Sequence, residues 1–349
     1  YLNITGDDNC SLGFHSLFNN TASGNSSFGK DSLYTNTTGT NLAAFGYQAL
    51  YSNTTGVNNS AFGYQTNFSN TNGAANSSLG YKALFSNTLG DDNCAIGINS
   101  LYANTSGGYN TAVGSASLYH NISGNNNTAF GAESLFFNTA SDNSAFGYQA
   151  MFTNTNGTSN AAFGNQSLFG NTTGNDNSAF GHQSLYSNTI GGNNSAFGYR
   201  SLYSNINGTG NCAFGYDTLQ SNTSGTSNNA FGLQCLTSNT TGSFNCGYGL
   251  ESLIQNTTGS NNSAYGVNSL GTNSTGGTNC AFGLSALGNN ISASSNCAFG
   301  YQSLFTNETG VNNSAFGTQS LYLNVAGNNS SSFGYQSLFA NTLGDDNCA

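Results

Sequence analysis

The sequence has no proline, no tryptophan and very few charged residues. Lys and Arg together number 3 and Asp and Glu number 13 in 349 residues, so charged residues are 5% of the chain, against roughly a quarter of an ordinary soluble domain. The fixed cations are Lys30, Lys82 and Arg200. Three scattered cations cannot form the basic surface that neutralises phosphates, which argues against binding to nucleic acid or to an anionic membrane surface.

The sequence also lacks an apolar run of about 20 residues, and it shows no signal-peptide pattern. It begins at Tyr1 rather than at Met, and its last segment, 343–349 (L-G-D-D-N-C-A), repeats the segment 89–95. We therefore expect the chain to be a window of a longer fibre protein, with no membrane span in this part.

The chain is built from a tandem repeat. The unit reads A-F-G-Y-Q-S-L-Y-S-N-T-T-G-x-N-N-S, and its positions are numbered 1 to 17 from the Ala, as in the copy that begins at Ala196. Roughly 20 copies follow one another, with one-residue deletions in the turns that begin at Ser11 and Ala129. Phe or Tyr recurs at fixed spacing, which argues against disorder. The repeat predicts a single domain, one continuous solenoid over residues 1–349.

The spacing within the unit predicts the fold class. Positions 17 to 5 and positions 7 to 10 carry aromatic residues with period-two alternation, which predicts two β-strands. Gly and Asn in the T-T-G-x-N-N segment supply the positive φ angles of tight turns. Helices are excluded because the unit is too short for a helical hairpin and holds several Gly. We expect an all-β fold, a parallel β-solenoid (β-roll) of roughly 20 turns with about 17 residues per turn.

Alternation along the predicted strands assigns side chains to the inside or the outside of the coil. Positions 17, 2 and 7 are predicted to point inward, and positions 1, 3 and 5 outward. Position 5 would then place His15 over Asp31 and Arg200 over Asp217. Because an outer face of Ala and Gly has no reason to stay small in solvent, we expect another chain to pack against it. The predicted core ladders are Phe180, Phe197 and Phe214 at position 2 and Leu185, Leu202 and Leu219 at position 7.

The core of the unit also carries a resemblance. It occurs as S-A-F-G-H-Q-S-L at 178–185 and as C-A-I-G-I-N-S-L at 94–101, and it resembles the head repeat of trimeric autotransporter adhesins. The fuller unit, with its S-N-T-T-G-x-N-N tail, is similar to tandem repeats in tail-fibre and surface-fibre proteins of phages and large viruses. The resemblance spans the whole chain, although this unit is longer than the adhesin unit and carries aromatic residues where adhesin heads have aliphatic ones. It implies a left-handed parallel β-roll, commonly of three chains around an axis, that serves as a stalk or an adhesive head.

N-x-S/T sequons recur at position 10, in a turn of the unit. In a secreted or viral surface protein, such an Asn can carry an N-glycan. Asn87 is followed by Thr and Leu and so keeps the Asn without the sequon, which favours the alternative, hydrogen-bonded ladders of Asn side chains. The candidate glycosylation sites are Asn36, Asn53, Asn104, Asn121, Asn171, Asn222, Asn239, Asn256, Asn273, Asn290 and Asn307.

Seven of the eight cysteines stand at position 17, where other copies have Ser or Thr, and they do not form a C-x-x-C metal pattern. Cys280 and Cys297 lie on adjacent turns, within the range of a disulfide. Cys235, at position 6, could instead reach Cys246 across its own turn. The alternatives are small buried thiols that replace Ser and, for the isolated cysteines, bonds between chains.

Candidates for catalysis or metal binding are few. His15, His120 and His182 fall at three different repeat positions and cannot converge on one site. The acidic pairs at 7–8, 91–92 and 345–346 lie in turns, where their oxygens could bind Ca²⁺ but where Asp is also an ordinary turn residue. We expect no enzyme activity, no metal site and no cofactor.

These observations together predict a structural protein of an extracellular or virion-surface fibre or filament, with a glycan coat as one expectation. The location would be extracellular, on a cell surface or on a virion surface. The expected partner is the chain itself, as a homo-oligomer and in the adhesin-like case a trimer. The alternative is an adhesin or tail-fibre binding module that recognises surface glycans through its outer Tyr and Asn rows.

Overall fold

A computed structural model describes residues 6–349, which form two compact units that divide between Asn175 and Asp176. Each unit is a coil whose successive turns contribute one short β-strand, and every strand pair is parallel. The predicted all-β parallel solenoid with about 17 residues per turn is therefore confirmed. That the repeat forms one continuous solenoid over residues 1–349 stays a prediction. Among the described residues, no helix is long and apolar enough to cross a membrane.

Each strand covers positions 17, 1 and 2 of the repeat. In the first unit the strands are β1 (Cys10–Leu12), β2 (Ser26–Phe28), β3 (Ala43–Phe45), β4 (Ser60–Phe62), β5 (Ser77–Leu79), β6 (Cys94–Ile96), β7 (Thr111–Val113), β8 (Thr128–Phe130), β9 (Ser144–Phe146) and β10 (Ala161–Phe163). In the second unit they are β11 (Ser178–Phe180), β12 (Ser195–Phe197), β13 (Cys212–Phe214), β14 (Asn229–Phe231), β15 (Cys246–Tyr248), β16 (Ser263–Tyr265), β17 (Cys280–Phe282), β18 (Cys297–Phe299), β19 (Ser314–Phe316) and β20 (Ser331–Phe333).

Neighbouring turns are hydrogen-bonded well beyond these strands. In the turn that begins at Ala196, the amide of Leu202 donates to the carbonyl of Thr218 at 3.0 Å, and the amide of Ser204 donates to Gln220 at 2.9 Å. Such bonds recur from turn to turn, so most of the backbone is satisfied by the turns above and below. Because a single turn has no partner for these groups, the coil is stable only as a stack.

The predicted strands are longer than the observed ones. The extension to position 5 and the second strand at positions 7 to 10 are wrong, because the backbone is left-handed at position 5 (Arg200, φ 51°) and at position 7 (Leu202, φ 50°). Position 3 is always Gly, and in Gly198 it has φ +132°. A Cβ on Gly198 would lie 2.2 Å from the carbonyl oxygen of Gly215 in the next turn. Both the dihedral angle and the close approach of the turns therefore require Gly.

The inside and outside of the coil differ from the prediction at the strand. Ala196 at position 1 is fully buried, whereas Ser195 and Phe197 on either side of it are partly exposed. The assignment of positions 17 and 2 to the inside and of position 1 to the outside is therefore wrong. Leu202 at position 7 is fully buried, as predicted. Since the small Ala side chains fill the core and the Gly residues stack on one another, no second chain is needed to explain them.

The core of each turn is narrow and partly polar. In the turn that begins at Ala196, the buried side chains after Ala196 are Ser201, Leu202, Asn205 and Asn211. These are positions 1, 6, 7, 10 and 16 of the repeat. Buried amides require hydrogen-bond partners, and the repeat supplies them from identical residues in adjacent turns.

Candidate functional site

The Asn side chains at position 10 form a ladder inside the coil. The Nδ2 of Asn205 donates to the Oδ1 of Asn188 at 2.8 Å and to the carbonyl of Gly208 at 3.0 Å. The Oδ1 of Asn205 in turn accepts from the Nδ2 of Asn222 at 2.9 Å. The amide of Asn205 therefore uses both of its N–H hydrogens within the fold.

This ladder overturns the glycosylation hypothesis at position 10. A glycan replaces one hydrogen of Nδ2 and needs open space, but the eleven side chains are fully buried and their amides lie in the ladder, so a folded turn cannot carry the sugar. The ladder alternative is the one that the structure has. The buried residues are Asn36, Asn53, Asn104, Asn121, Asn171, Asn222, Asn239, Asn256, Asn273, Asn290 and Asn307.

A second Asn ladder, at position 16, was missed by the sequence reasoning. The Oδ1 of Asn194 accepts the backbone amide of Asn211 at 3.0 Å, and the Nδ2 of Asn211 donates to the carbonyl of Gly225 at 2.9 Å. The backbone carbonyl at position 13 thus accepts hydrogen bonds from two Asn side chains, one at position 10 of its own turn and one at position 16 of the preceding turn. The signal in the sequence was the recurrence of Asn directly before the strand.

The aromatic residues form stacked rows on the outside. Phe197 stacks on Phe180 and on Phe214 with ring centroids 4.7 and 4.6 Å apart and planes within 5°. This predicted ladder exists, but it lies on the outer face of the strands rather than in the core. Tyr64 at position 4 likewise stacks on its neighbours at 5.2 Å. In such rows the ring faces cover one another, so mainly the edges meet solvent.

The outer face of the strands is uncharged. Positions 17 and 2 hold no charged residue in any of the twenty strands. In the first unit, Phe62 and Leu79 at position 2 and Tyr64 and Tyr81 at position 4 are each 40–51% exposed. Phe62 pairs with Leu79 in adjacent strands, and Tyr64 stacks on Tyr81. We call these four exposed side chains the strand-face patch.

The predicted register of position 5 is confirmed at His15, whose Nδ1 lies 3.2 Å from the Oδ1 of Asp31 in the next turn. Asp217 also lies one turn beyond Arg200: its amide donates to the carbonyl of Tyr199. Burial raises the pKa of Asp217 above its ordinary value, and the positive charge of Arg200 offsets part of this rise.

The three histidines lie in separate rows. His15 has Ser16 beside it in sequence, but the Oγ of Ser16 donates to Ser27 inside the coil. His120 stacks on Phe137 at 5.1 Å, and His182 belongs to the position 4 row. Among residues 6–349, the structure therefore does not bring a histidine together with a buried nucleophile.

The cysteines are all free thiols in the structure. Cys280 and Cys297 are paired residues of adjacent parallel strands, as the repeat predicts. Burial raises the pKa of Cys297, and the neighbouring Cys280 thiol raises it further. A disulfide between these two residues stays a prediction, and so do bonds between chains.

Cys235 lies on the other side of the sheet from Cys246. The Cys235 thiol is buried against the Oγ of Ser252 at 3.0 Å, and burial raises its pKa to about 11. Cys246 is partly exposed on the outer face, where its Sγ accepts from Asn229 at 3.8 Å. A Cβ on Gly247 would lie 2.4 Å from the Cys235 sulfur, so the larger side chain at position 6 occupies the space of the methyl group that Ala has at position 1.

The acidic pairs serve as turn residues. The Oδ1 of Asp91 accepts the backbone amide of Ala74 at 2.7 Å, and that of Asp345 accepts the amide of Asn328 at 2.7 Å. Asp92, which follows Asp91, has a left-handed φ of 55°, a conformation that Asp tolerates well. Within residues 6–349, no group of three or more His, Cys, Asp or Glu side chains could hold a metal ion.

The aromatic row at position 8 is interrupted in the second unit. In the first unit, a ring at position 8 lies against an aromatic side chain at position 9 of the preceding turn in two places: Phe136 against His120 at 5.1 Å and Phe152 against Phe137 at 5.3 Å. The row resumes at Phe305. The residues that replace the rings are Gln220, Thr237, Ile254, Gly271 and Gly288.

A cleft of about 360 Å³ lies at the end of this interruption. Because position 8 is Gly271 and Gly288 in the following turns, Gln255 and Thr272 at position 9 have no ring against them. These two side chains and Asn289 form one wall of the cleft. Position 11 side chains form the other wall. The lining residues are Gln255, Thr272 and Asn289 at position 9 and Ser274, Ile291 and Glu308 at position 11.

Comparison with known proteins gives no family for this chain. No protein-family model matches it, and no curated protein matches it significantly. The resemblance to adhesin heads and to fibre repeats therefore stays a prediction that rests on the repeat itself, and what is established is a tandem-repeat parallel β-solenoid with stacked Asn ladders.

Proposed function

We propose that this chain is a structural segment of an extracellular or virion-surface fibre or filament that associates with further copies of itself. The observation that carries the proposal is the use of side chains within each unit. Asn, Leu, Phe and Tyr of one turn bond to or stack on the same residues of the next turn, as Asn205 does on Asn188 and Phe197 on Phe214. In such a chain the side chains make their contacts along the axis of the coil, from one turn to the next. A load-bearing element requires contacts of this kind.

The strand-face patch (Phe62, Leu79, Tyr64 and Tyr81) supports self-association. It is apolar and uncharged, and exposed apolar patches mark interaction surfaces. Lys82 lies at the edge of the patch, with its Nζ 5.5 Å from the centroid of the Tyr81 ring. Its long side chain can keep the ammonium group in water while two copies bury the aromatic edges of the patch. The number of chains in the assembly, including a trimer, stays a prediction. The Ala residues at position 1 that first indicated a partner are buried in the coil, and the Gly residues at position 3 stack on one another.

Association of the full chain tests the proposal. We expect filaments or lateral assemblies by electron microscopy and sedimentation, and we expect the variant Tyr64→Lys/Tyr81→Lys to dissociate them without loss of β-structure. Thr55→Lys/Thr38→Lys is the matched control, because it adds the same charges at position 12, away from the patch. A chain that stays monomeric at high concentration, or assemblies that survive the patch variant, would contradict the proposal.

A binding module for surface glycans is the second candidate function. The stacked Tyr rows give this function little support, because neighbouring rings cover the ring faces on which a sugar would stack. The observation in its favour is the cleft between positions 9 and 11, the place where the repeat departs from its pattern.

A further inference from the structure

The cleft of the second unit presents polar groups that the protein leaves without partners. Within residues 6–349, no protein group hydrogen-bonds to the side-chain amides of Gln255 and Asn289 or to the carboxylate of Glu308. At position 5, by contrast, amides bond to one another, as Gln65 does to Gln48 at 2.8 Å. A side-chain amide both donates and accepts hydrogen bonds, so the two amides suit the neighbouring hydroxyl groups of a sugar ring.

Other parts of the lining fix the shape of the cleft. The Oγ1 of Thr272 donates to the carbonyls of Gly288 and Asn290 at 2.9 and 3.1 Å, which holds this side chain in place and leaves its lone pairs free to accept. Ile291 is 48% exposed and offers an apolar surface for C–H groups. A volume of about 360 Å³ lies within the range of small-molecule sites, about 300–1,000 Å³.

Glu308 gives the cleft a charge. Position 11 is Thr in most turns, and Glu308 is its only charged residue. No Lys or Arg follows Arg200 in the sequence, so the turns around the cleft contain no cationic side chain that could pair with this carboxylate. A ligand with an ammonium group would supply the missing cation, and a charge-assisted hydrogen bond is stronger than a neutral one.

We propose that this cleft binds an amino sugar, with Glu308 holding the ammonium group and with Gln255, Thr272 and Asn289 binding the hydroxyl groups. The site needs only the folded second unit, so it stands or falls independently of self-association. Because the cleft is open on one side, we expect a dissociation constant in the millimolar range, about 1 mM.

Titration of the full-length chain with glucosamine and with glucose, followed by NMR or calorimetry, tests the assignment. We expect saturable binding of glucosamine and at least about tenfold weaker binding of glucose, because the charge-assisted bond is lost. Glu308→Gln should weaken glucosamine binding by about the same factor. Glu251→Gln is the matched control, since Glu251 at position 5 carries the same charge away from the cleft.

A second variant separates the shape of the cleft from its charge. Asn289→Phe fills the cleft and keeps Glu308, and an aromatic residue at position 9 has a precedent in Phe137. Binding should be lost in this variant while the β-structure is kept. The proposal is overturned if the wild type shows no saturable binding of glucosamine, if glucose binds equally well, or if binding survives in both cleft variants.

Discussion

Asn67 occupies the one turn in which the Leu ladder at position 7 carries a polar side chain, and replacing it with Leu should stabilise the protein. Asn67 lies between Leu50 and Leu84, and all three side chains are fully buried. Within residues 6–349, its Nδ2 and Oδ1 are two of the three buried side-chain atoms without a hydrogen-bond partner. Since Leu or Met fills position 7 in the other turns, the space for the larger side chain exists.

The expected gain is a balance of three contributions. Removing an unpartnered buried amide contributes about 1–3 kcal/mol. Burying the two further carbon atoms of Leu contributes about 1.5 kcal/mol. Against this, Asn67 has a left-handed φ of 49°, which Asn tolerates better than Leu by about 1 kcal/mol. The net stabilisation for Asn67→Leu is then about 1.5–3.5 kcal/mol.

Native-state hydrogen exchange measures this gain locally, which suits a repeat protein whose turns need not unfold together. The amide of Asn67 donates to Ala83 and that of Leu84 donates to Ser100, so both should exchange at least about tenfold more slowly in the variant. Asn70→Leu is the control in the same turn. The Nδ2 of Asn70 donates to two partners, at 2.7 and 2.9 Å, so the identical change there should speed exchange. Equal effects at both sites would refute the reasoning.

Three further predictions concern packing and thiol reactivity. Gly247→Ala should destabilise the protein by about 1–3 kcal/mol through overpacking against Cys235. Adding Cys235→Ser should restore the lost stability, as measured by thermal unfolding. If the double variant is no more stable than Gly247→Ala, the sulfur is not the obstacle. Gly198→Ala should cost at least about 1–3 kcal/mol, because φ is +132° and a Cβ would strike Gly215; unchanged exchange rates in the flanking turns would contradict this. With its pKa raised to about 11, buried Cys235 should resist alkylation at pH 8 while exposed Cys10 reacts; equal labelling by mass spectrometry would show that the thiol is accessible.

The repeat period predicted the architecture because identical units can satisfy their backbone groups only by stacking in register. The contact of His15 with Asp31 and the pairing of Cys280 with Cys297 follow from that period alone. The cleft could not be found in this way. Gly271 and Gly288 are visible as missing aromatic residues, but the sequence does not show that a ring at position 8 lies against position 9 of the preceding turn.

The prediction of which side chains point inward was wrong at the strand because of the backbone conformation. Alternation holds only while the chain stays extended, and here the extended run ends after Phe197. Gly198 has φ +132°, and Arg200 and Leu202 are left-handed, so each of them redirects the chain. Leu202 was assigned correctly because Leu stands at position 7 in nearly every turn, which is typical of a row of core residues. Ala196 and Phe197 could not be assigned, because a strand of three residues has too little pattern to separate its faces.

The recurrence of Asn at position 10 predicts its structural role better than the sequons do. Asn stands at position 10 in all 20 turns, whereas Ser or Thr follows two residues later in 11 of them. A site maintained for glycosylation would need both residues, but a ladder needs only the amide, which in most turns donates twice and accepts from the next turn. Asn87 and Asn188 keep the amide without the sequon, and both donate to the carbonyl at position 13 of their own turns. The repeat therefore preserves the residue that the ladder requires and lets the sequon vary, and because a glycan would remove one of the two N–H bonds, N-glycosylation at position 10 and this fold exclude each other.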